Sequence, residues 1–203
     1  MKRSNNWIVK NKRPEDTSAS KDFYDSTESD RYEFSSSMKR RQEKMTLRLL
    51  DLMGVDLTDG FKILDAGCGT GFSMTLLRNL NSKLYLRGFD SSKEMLQKSK
   101  DKKLQVKLGS LEKIPFKDKF DSIICISALQ WVPKENISEI ASEFYRVLKK
   151  NGVAGIQYYP ESEERLFEDA SKFKKQGFRV IVTQDNYYNP VKRKIYVTLY
   201  KEV

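Results

Sequence analysis

The chain of 203 residues reads as an α/β fold, a mostly parallel sheet of seven strands wrapped by helices, with the last strand antiparallel. Three observations predict this. From residue 62 onward, short apolar runs alternate with amphipathic stretches of helical period. The first run, Lys62 to Ala66, breaks into a turn carrying three glycines and then into a helix. The last two runs are joined by Gln184 to Lys194 without a helical pattern, and strands joined without a crossover helix pair antiparallel.

Taken in order, residues 1 to 34 are polar, broken by Pro14 and rich in Ser, Asp and Lys. They read as a mobile basic arm or lid, and residues 35 to 203 as the folded domain. The aromatic residues of the arm (Trp7, Phe23, Tyr24, Tyr32 and Phe34) imply that it docks in part. Ser35 to Ser37 offer caps for a helix over Met38 to Met53, with Met45, Leu49 and Leu52 at helical spacing and Gly54 as the stop. Lys62 to Ala66 is the first strand and Phe72 to Leu80 its helix. Leu84 to Phe89 is the second strand, followed by a helix over Ser92 to Lys100 that Ser91 or Ser92 can cap. Leu104 to Leu108 and Phe120 to Ile126 read as the third and fourth strands. An amphipathic helix over Ile137 to Lys149 closes at Asn151-Gly152, and Val153 to Tyr159 is the fifth strand. Glu161 to Gln176 is a further helix, and Phe178 to Thr183 with Ile195 to Tyr200 completes the sheet.

No apolar run approaches the eighteen or so residues of a membrane span, and the N-terminus lacks a signal core. Two cysteines, Cys68 and Cys125, form no metal-type pair and read as reduced structural thiols of an intracellular protein. The formal charge is +10. Solvated lysine-rich helix faces can account for that, but clustering favours a polyanionic partner. The clusters are Lys2, Arg3, Lys10, Lys12 and Arg13, then Lys39 to Arg41, then Lys192 to Lys194. Histidine is absent, which excludes Ser-His-Asp triads, Cys-His dyads and imidazole zinc sites within the chain.

The glycine turn reads Asp65-Ala66-Gly67-Cys68-Gly69-Thr70-Gly71-Phe72. Such a run can be an ordinary tight turn, but a strand before it and a helix after it point to a bound cofactor. In the dinucleotide fingerprint the third glycine would stand at Phe72; here it comes one residue early. The spacing G-x-G-x-G led by Asp65 resembles motif I of the class I S-adenosylmethionine (SAM) methyltransferases. The resemblance places SAM against Asp65, Gly67, Cys68 and Gly69. Asp90 and Ser91, at the end of the second strand, then meet the ribose, with Asp90 also able to cap the next helix. Met95 covers the adenine or packs in the core. Ser110 stands where relatives place an acidic or amide group, so the adenine contact there falls to backbone groups at Ser110 or to Leu111. Ser127 follows the fourth strand near the sulfonium, and Tyr32 reaches in from the arm.

A longer series narrows the substrate. Phe23-Tyr24-Asp25, Tyr32, Ser35-Ser36, Gln42, Met45 and Arg48 precede the glycine turn. Ile114-Pro115-Phe116, Phe120-Asp121, Ile126 to Trp131, Gln157 to Ser162 and Gly177-Phe178 follow it. In this order they resemble the small-subunit ribosomal RNA guanine-N7 methyltransferases. The sequence ends at Val203 without the lysine-rich tail of eukaryotic members, which reads as an archaeal or reduced relative. The resemblance implies a cytoplasmic address if archaeal, and nucleus, nucleolus and cytoplasm if eukaryotic.

Guanine N7 carries a lone pair and no proton, so a histidine-free site is no handicap. The resemblance casts Trp131 and Tyr159 as walls for the displaced base and Glu161 as acceptor for its N1–H or amino group. Trp131 can equally be a hydrophobic plug, and Tyr158 a packing group. The family is held soluble by a small zinc-ribbon activator subunit, expected at the edge strand where Leu104, Val106 and Leu108 alternate. Transfer RNA or a small molecule as substrate, or a role as a pre-ribosome assembly factor, are the competing readings.

Overall fold

The computed structural model describes Trp7 and residues 14–16, 18–189 and 191–202. The basic residues Lys2, Arg3, Lys10, Lys12 and Arg13 lie outside these. Seven strands form one sheet: β1 (Lys62–Ala66), β2 (Tyr85–Asp90), β3 (Val106–Leu108), β4 (Phe120–Ile126), β5 (Leu148–Tyr158), β6 (Phe178–Asp185) and β7 (Lys194–Lys201). Their order is β3-β2-β1-β4-β5-β7-β6, with β5–β7 and β7–β6 antiparallel and every other pair parallel. Chain order reverses between β1 and β4, and ligands of open α/β sheets bind at that point, beyond the carboxyl ends of the strands.

Helices α1 (Ser20–Phe23), α2 (Ser26–Phe34), α3 (Ser36–Met53), α4 (Phe72–Leu80), α5 (Lys93–Asp101), α6 (Ile137–Val147) and α7 (Glu163–Lys175) accompany the sheet. Alternation along β1 sorts them into layers. Leu64 and Ala66 face a core built with Ile140, Phe144, Leu166 and Phe173 of α6 and α7, whereas Ile63 faces Met45, Leu49 and Met53 of α3. Ser35 caps α3 by accepting the Met38 N–H, and Gly54 ends it in the left-handed conformation. No described helix is long and apolar enough to cross a membrane.

Two expectations from the sequence are corrected. Residues 148–152 continue β5 rather than α6, because Leu148 turns to extended backbone and pairs with Phe120. The register shift that follows is absorbed around Asn151, at φ 58°. Leu104 is not in the edge strand. β3 is only three residues long, and Leu104 is buried against Cys68, Met74 and Leu96. Of residues expected to form an arm, 20–34 make two short helices lying on the domain, and Lys102 of the α5 end bonds Glu33 at 2.7 Å.

Candidate active site

The carboxyl ends of β1, β2 and β4 open into one cavity of about 620 Å³. Its floor is the glycine turn. Gly67 (φ 77°) and Gly71 (φ 82°) hold left-handed backbone, and a Cβ on Gly67 would stand 2.5 Å from the Ala128 Cβ. On Gly71 it would meet the Leu104 side chain at 2.3 Å. Sequence therefore dictates the turn twice, through backbone conformation and through lack of room.

Two carboxylates face the floor. Asp90 accepts the Gly69 N–H at 2.8 Å on one oxygen and the Ser92 N–H at 2.9 Å on the other. Ser92, not Asp90, caps α5 by accepting the Met95 N–H, while Asp90 fastens the glycine turn to the residue before that helix and lines the cavity. Asp65 is buried, and burial, reinforced by the neighbouring charge of Asp90, pushes its carboxyl up to about 8. Burial likewise raises Asp90, against the opposing pull of its backbone hydrogen bonds. The Cys68 thiol is raised by burial and stays protonated, and both cysteines are buried free thiols.

Among the described residues, Asp65 Oδ2, Thr70 Oγ1 and Gln130 Oε1 are buried without a hydrogen-bond partner, and all three residues line this cavity. A buried unpaired acceptor costs about 1–3 kcal/mol, so three around one space await donors from a ligand. Acidic groups facing glycine backbone suit a cationic ligand bearing amine and hydroxyl donors, as SAM is.

The other predicted cofactor residues are brought together here. Tyr32, Ser91, Met95, Ser110, Leu111 and Ser127 all line the cavity. Met95 and Leu111 are also core residues, so the packing expected of Met95 is observed while it lines the cavity. Ser127 sits at φ 57°, unusual for a residue with a side chain. Its N–H donates to the Gln157 carbonyl at 2.8 Å and its Oγ to Gln157 Oε1 at 2.9 Å, which holds the strained position.

The sequence reading missed several lining residues, among them Tyr24, Gln42, Phe72, Glu112, Gln130 and Asn136. Gln130 and Tyr24 stood in segments already singled out. Glu112 lies two positions past Ser110, close enough to have been weighed as the missing acid. Residues 20–34 form the cavity's cover: Ser20 Oγ lies 2.9 Å from Ser91 Oγ, and Ser92 Oγ donates to the Tyr24 carbonyl. Tyr32 stacks on Phe72 with centroids 5.6 Å apart.

The acceptor residues are less uniform. Trp131 and Tyr159, with Glu15, Gln130, Val132 and Pro133, line both the large cavity and an adjoining recess of about 210 Å³. The Trp131 ring packs against Phe23 at 5.4 Å and Tyr24 at 5.5 Å, so it serves as a plug under the cover. Glu161 lies outside the large cavity. Its carboxylate is 67% exposed in the recess wall, 4.0 Å from the Arg165 guanidinium. Tyr158 points the other way, into the core, where its hydroxyl donates to Asp169 at 3.2 Å. The packing role expected for Tyr158 is the observed one.

Fold, glycine cradle and unpaired acceptors define a class I SAM-dependent methyltransferase. The family described as "Methyltransferase domain" matches residues 64–156. The magnesium protoporphyrin IX methyltransferase of Synechocystis PCC 6803, solved with SAM bound, superposes with TM-score 0.69 at 16% identity over 90% of this chain and 95% of that one. A Haloferax volcanii methyltransferase, in complex with the Trm112 methyltransferase activator, gives 0.68 at 17% identity over 86% and 94%. At such identities these establish the fold. The chain is 36% identical to the Bos taurus 18S rRNA (guanine-N(7))-methyltransferase, over 93% of its own length and 71% of the relative's. It is 32% identical to the Saccharomyces cerevisiae 18S rRNA (guanine(1575)-N(7))-methyltransferase, over 82% of its own length and 64% of that relative's. The chain belongs to this family of small-subunit rRNA guanine-N7 methyltransferases.

Proposed function

We propose that the chain transfers a methyl group from SAM to N7 of a guanine in small-subunit ribosomal RNA. The observation that carries this reading is that a cavity of unpaired acceptors adjoins a second recess, with Trp131 and Tyr159 among the residues lining both. When bound, SAM supplies an electrophilic methyl on a cationic sulfur. Asp65, Thr70 and Gln130 would accept hydrogen bonds from its donors, Asp90 would take the ribose hydroxyls, and Glu112 would stand in for the acid absent at Ser110. The cover over residues 20–34 excludes water.

The acceptor needs no deprotonation, so the protein's work is alignment. Tyr159 is the stacking wall for the base, and Trp131 packs beneath Phe23 and Tyr24. Glu161 accepts from the guanine edge after giving up its loose pairing with Arg165. The edge strand β3, with Leu108 exposed, is the site for strand addition by a zinc-ribbon activator. Expression without the activator then gives aggregation-prone protein.

The test is methylation with tritiated SAM, offering small-subunit rRNA and bulk tRNA separately, with and without the activator. Label recovered as 7-methylguanosine from the rRNA is the expected result. Label confined to tRNA overturns the proposal.

A further inference from the structure

The loop between β6 and β7 is not used by the site as described. It stands at the same end of the sheet as the active site, because Tyr158 at the end of β5 pairs with Ile195 at the start of β7. Tyr187 and Tyr188 are 67% and 70% exposed, and Val191 is 85% exposed. The two rings lie edge to face, 5.5 Å apart and at 84°, so each offers a separate face. The loop is braced at both ends. Arg48 on α3 grips Asp185 through two hydrogen bonds of 3.0 and 3.1 Å, and Arg193 donates to the Tyr187 carbonyl at 2.9 Å. Asn189 Oδ1 accepts the Val191 and Lys192 N–H groups. The turn is thus held by its own hydrogen bonds while two aromatic faces stand in water.

Charge says which ligand. Residues 186–194 contain three basic residues and no acidic one. Lys192 is exposed, and Lys194 Nζ lies 5.2 Å over the Tyr159 ring. On another side of that ring, Tyr159 Oη donates to the Met45 sulfur of α3 at 3.6 Å, and Arg41 of the same helix lines the cavity with Tyr159. Lys194 thus covers the ring, and Arg41, far away in sequence, lines the same cavity. Protein interfaces are depleted in lysine, whereas single-stranded nucleic acid is gripped by aromatic faces interleaved with cations.

We propose that the β6–β7 loop is an RNA clamp. Tyr187 and Tyr188 stack on unpaired bases beside the target guanine, Lys192 and Lys194 hold the phosphates, and Arg41 contacts the strand from the α3 side. The clamp rests on the reading of the substrate as RNA.

Binding is measured on the full chain with a fluorescein-labelled, mixed-sequence single-stranded oligoribonucleotide, alone and annealed to its complement. Tyr187→Ala with Tyr188→Ala is expected to raise Kd for the single strand about ten-fold or more. SAM affinity stays unchanged, and the double phenylalanine variant stays within about two-fold of wild type. Lys192→Gln with Lys194→Gln is expected to lower the slope of log Kd against log salt by about one to two. With 4-thiouridine in the oligonucleotide, crosslinks on the unmodified protein map to Tyr187 or Tyr188. Wild-type binding that the double alanine variant matches within two-fold, equal losses on single strand and duplex, or crosslinks confined to other segments each overturn the clamp. Wild type binding neither RNA defeats the substrate reading itself, and the clamp with it.

Discussion

The cofactor floor and the acceptor rim adjoin each other yet are built from different material. The floor is backbone: Gly67, Cys68 and Gly69 are continuous in sequence, and Asp90 is fastened to the turn by the Gly69 N–H. The rim is side chains gathered from α1, the residues just after β5 and the 3-10 turn at Trp131. A backbone device has almost no tolerance, since one Cβ fills it. A side-chain rim can lose a member and keep its shape. The difference teaches where specificity can vary within one fold, as sites grafted on shared scaffolds require.

The largest expected effect tests the floor. Gly67→Ala forces a side chain into left-handed backbone and against the Ala128 Cβ at 2.5 Å. Calorimetry should then find SAM binding weakened by two orders of magnitude or more, with about 1–3 kcal/mol lost in thermal stability. Affinity within a few-fold of wild type would break the idea of a closed cradle.

A second substitution separates binding from stability. The Asp65 carboxyl ordinarily titrates near 3.8 and is held at about 8 in the fold. The unfolded chain therefore gives up this proton first as pH rises. The stability contributed by the protonated form is complete below about pH 4 and lost progressively towards pH 8. Asp65→Asn removes that slope, so without cofactor the variant should melt above wild type at pH 8 and bind SAM about ten-fold more weakly. Parallel melting curves for the two proteins from pH 5 to 8 would remove the buried-acid account.

Away from the floor the effects shrink. Behind the rim, in the core, Tyr158→Phe deletes the hydrogen bond to Asp169 and leaves the ring packed, at a cost of about 1 kcal/mol. Denaturant unfolding reads the loss, and kcat/KM for RNA should hardly move; a large fall in activity at unchanged stability would put Tyr158 in the site after all. Smallest of all, Glu161→Gln should raise KM for RNA a few-fold and leave SAM affinity untouched. If steady-state kinetics find KM unaltered, Glu161 is simply the exposed partner of Arg165.

Much of this was legible in the sequence. The alternation from Lys62 onward carried the sheet and the antiparallel pair, because period and connection length are local properties. The floor residues were legible for the same reason. Element ends were less so: Leu148 leaves α6 early because Phe120, on a neighbouring strand, offers it a pairing partner. Leu104 looked like strand by alternation, but its side chain is taken up by α4 and α5 residues. The cover was legible only as scattered aromatics, since Phe23, Tyr24 and Tyr32 find Trp131 and Phe72 through space.

By itself, the sequence determined the fold class, the glycine floor, the exclusion of histidine chemistry and the SAM methyltransferase class. Each depends on spacing or composition, which neighbours along the chain define. The tertiary structure alone decided that Tyr158 faces Asp169 while Tyr159 faces the cavity, that Trp131 lies under the N-terminal cover, and that Lys194 lies over a ring lining the same cavity as Arg41. Those relations join residues distant in the chain, and only packing brings them together.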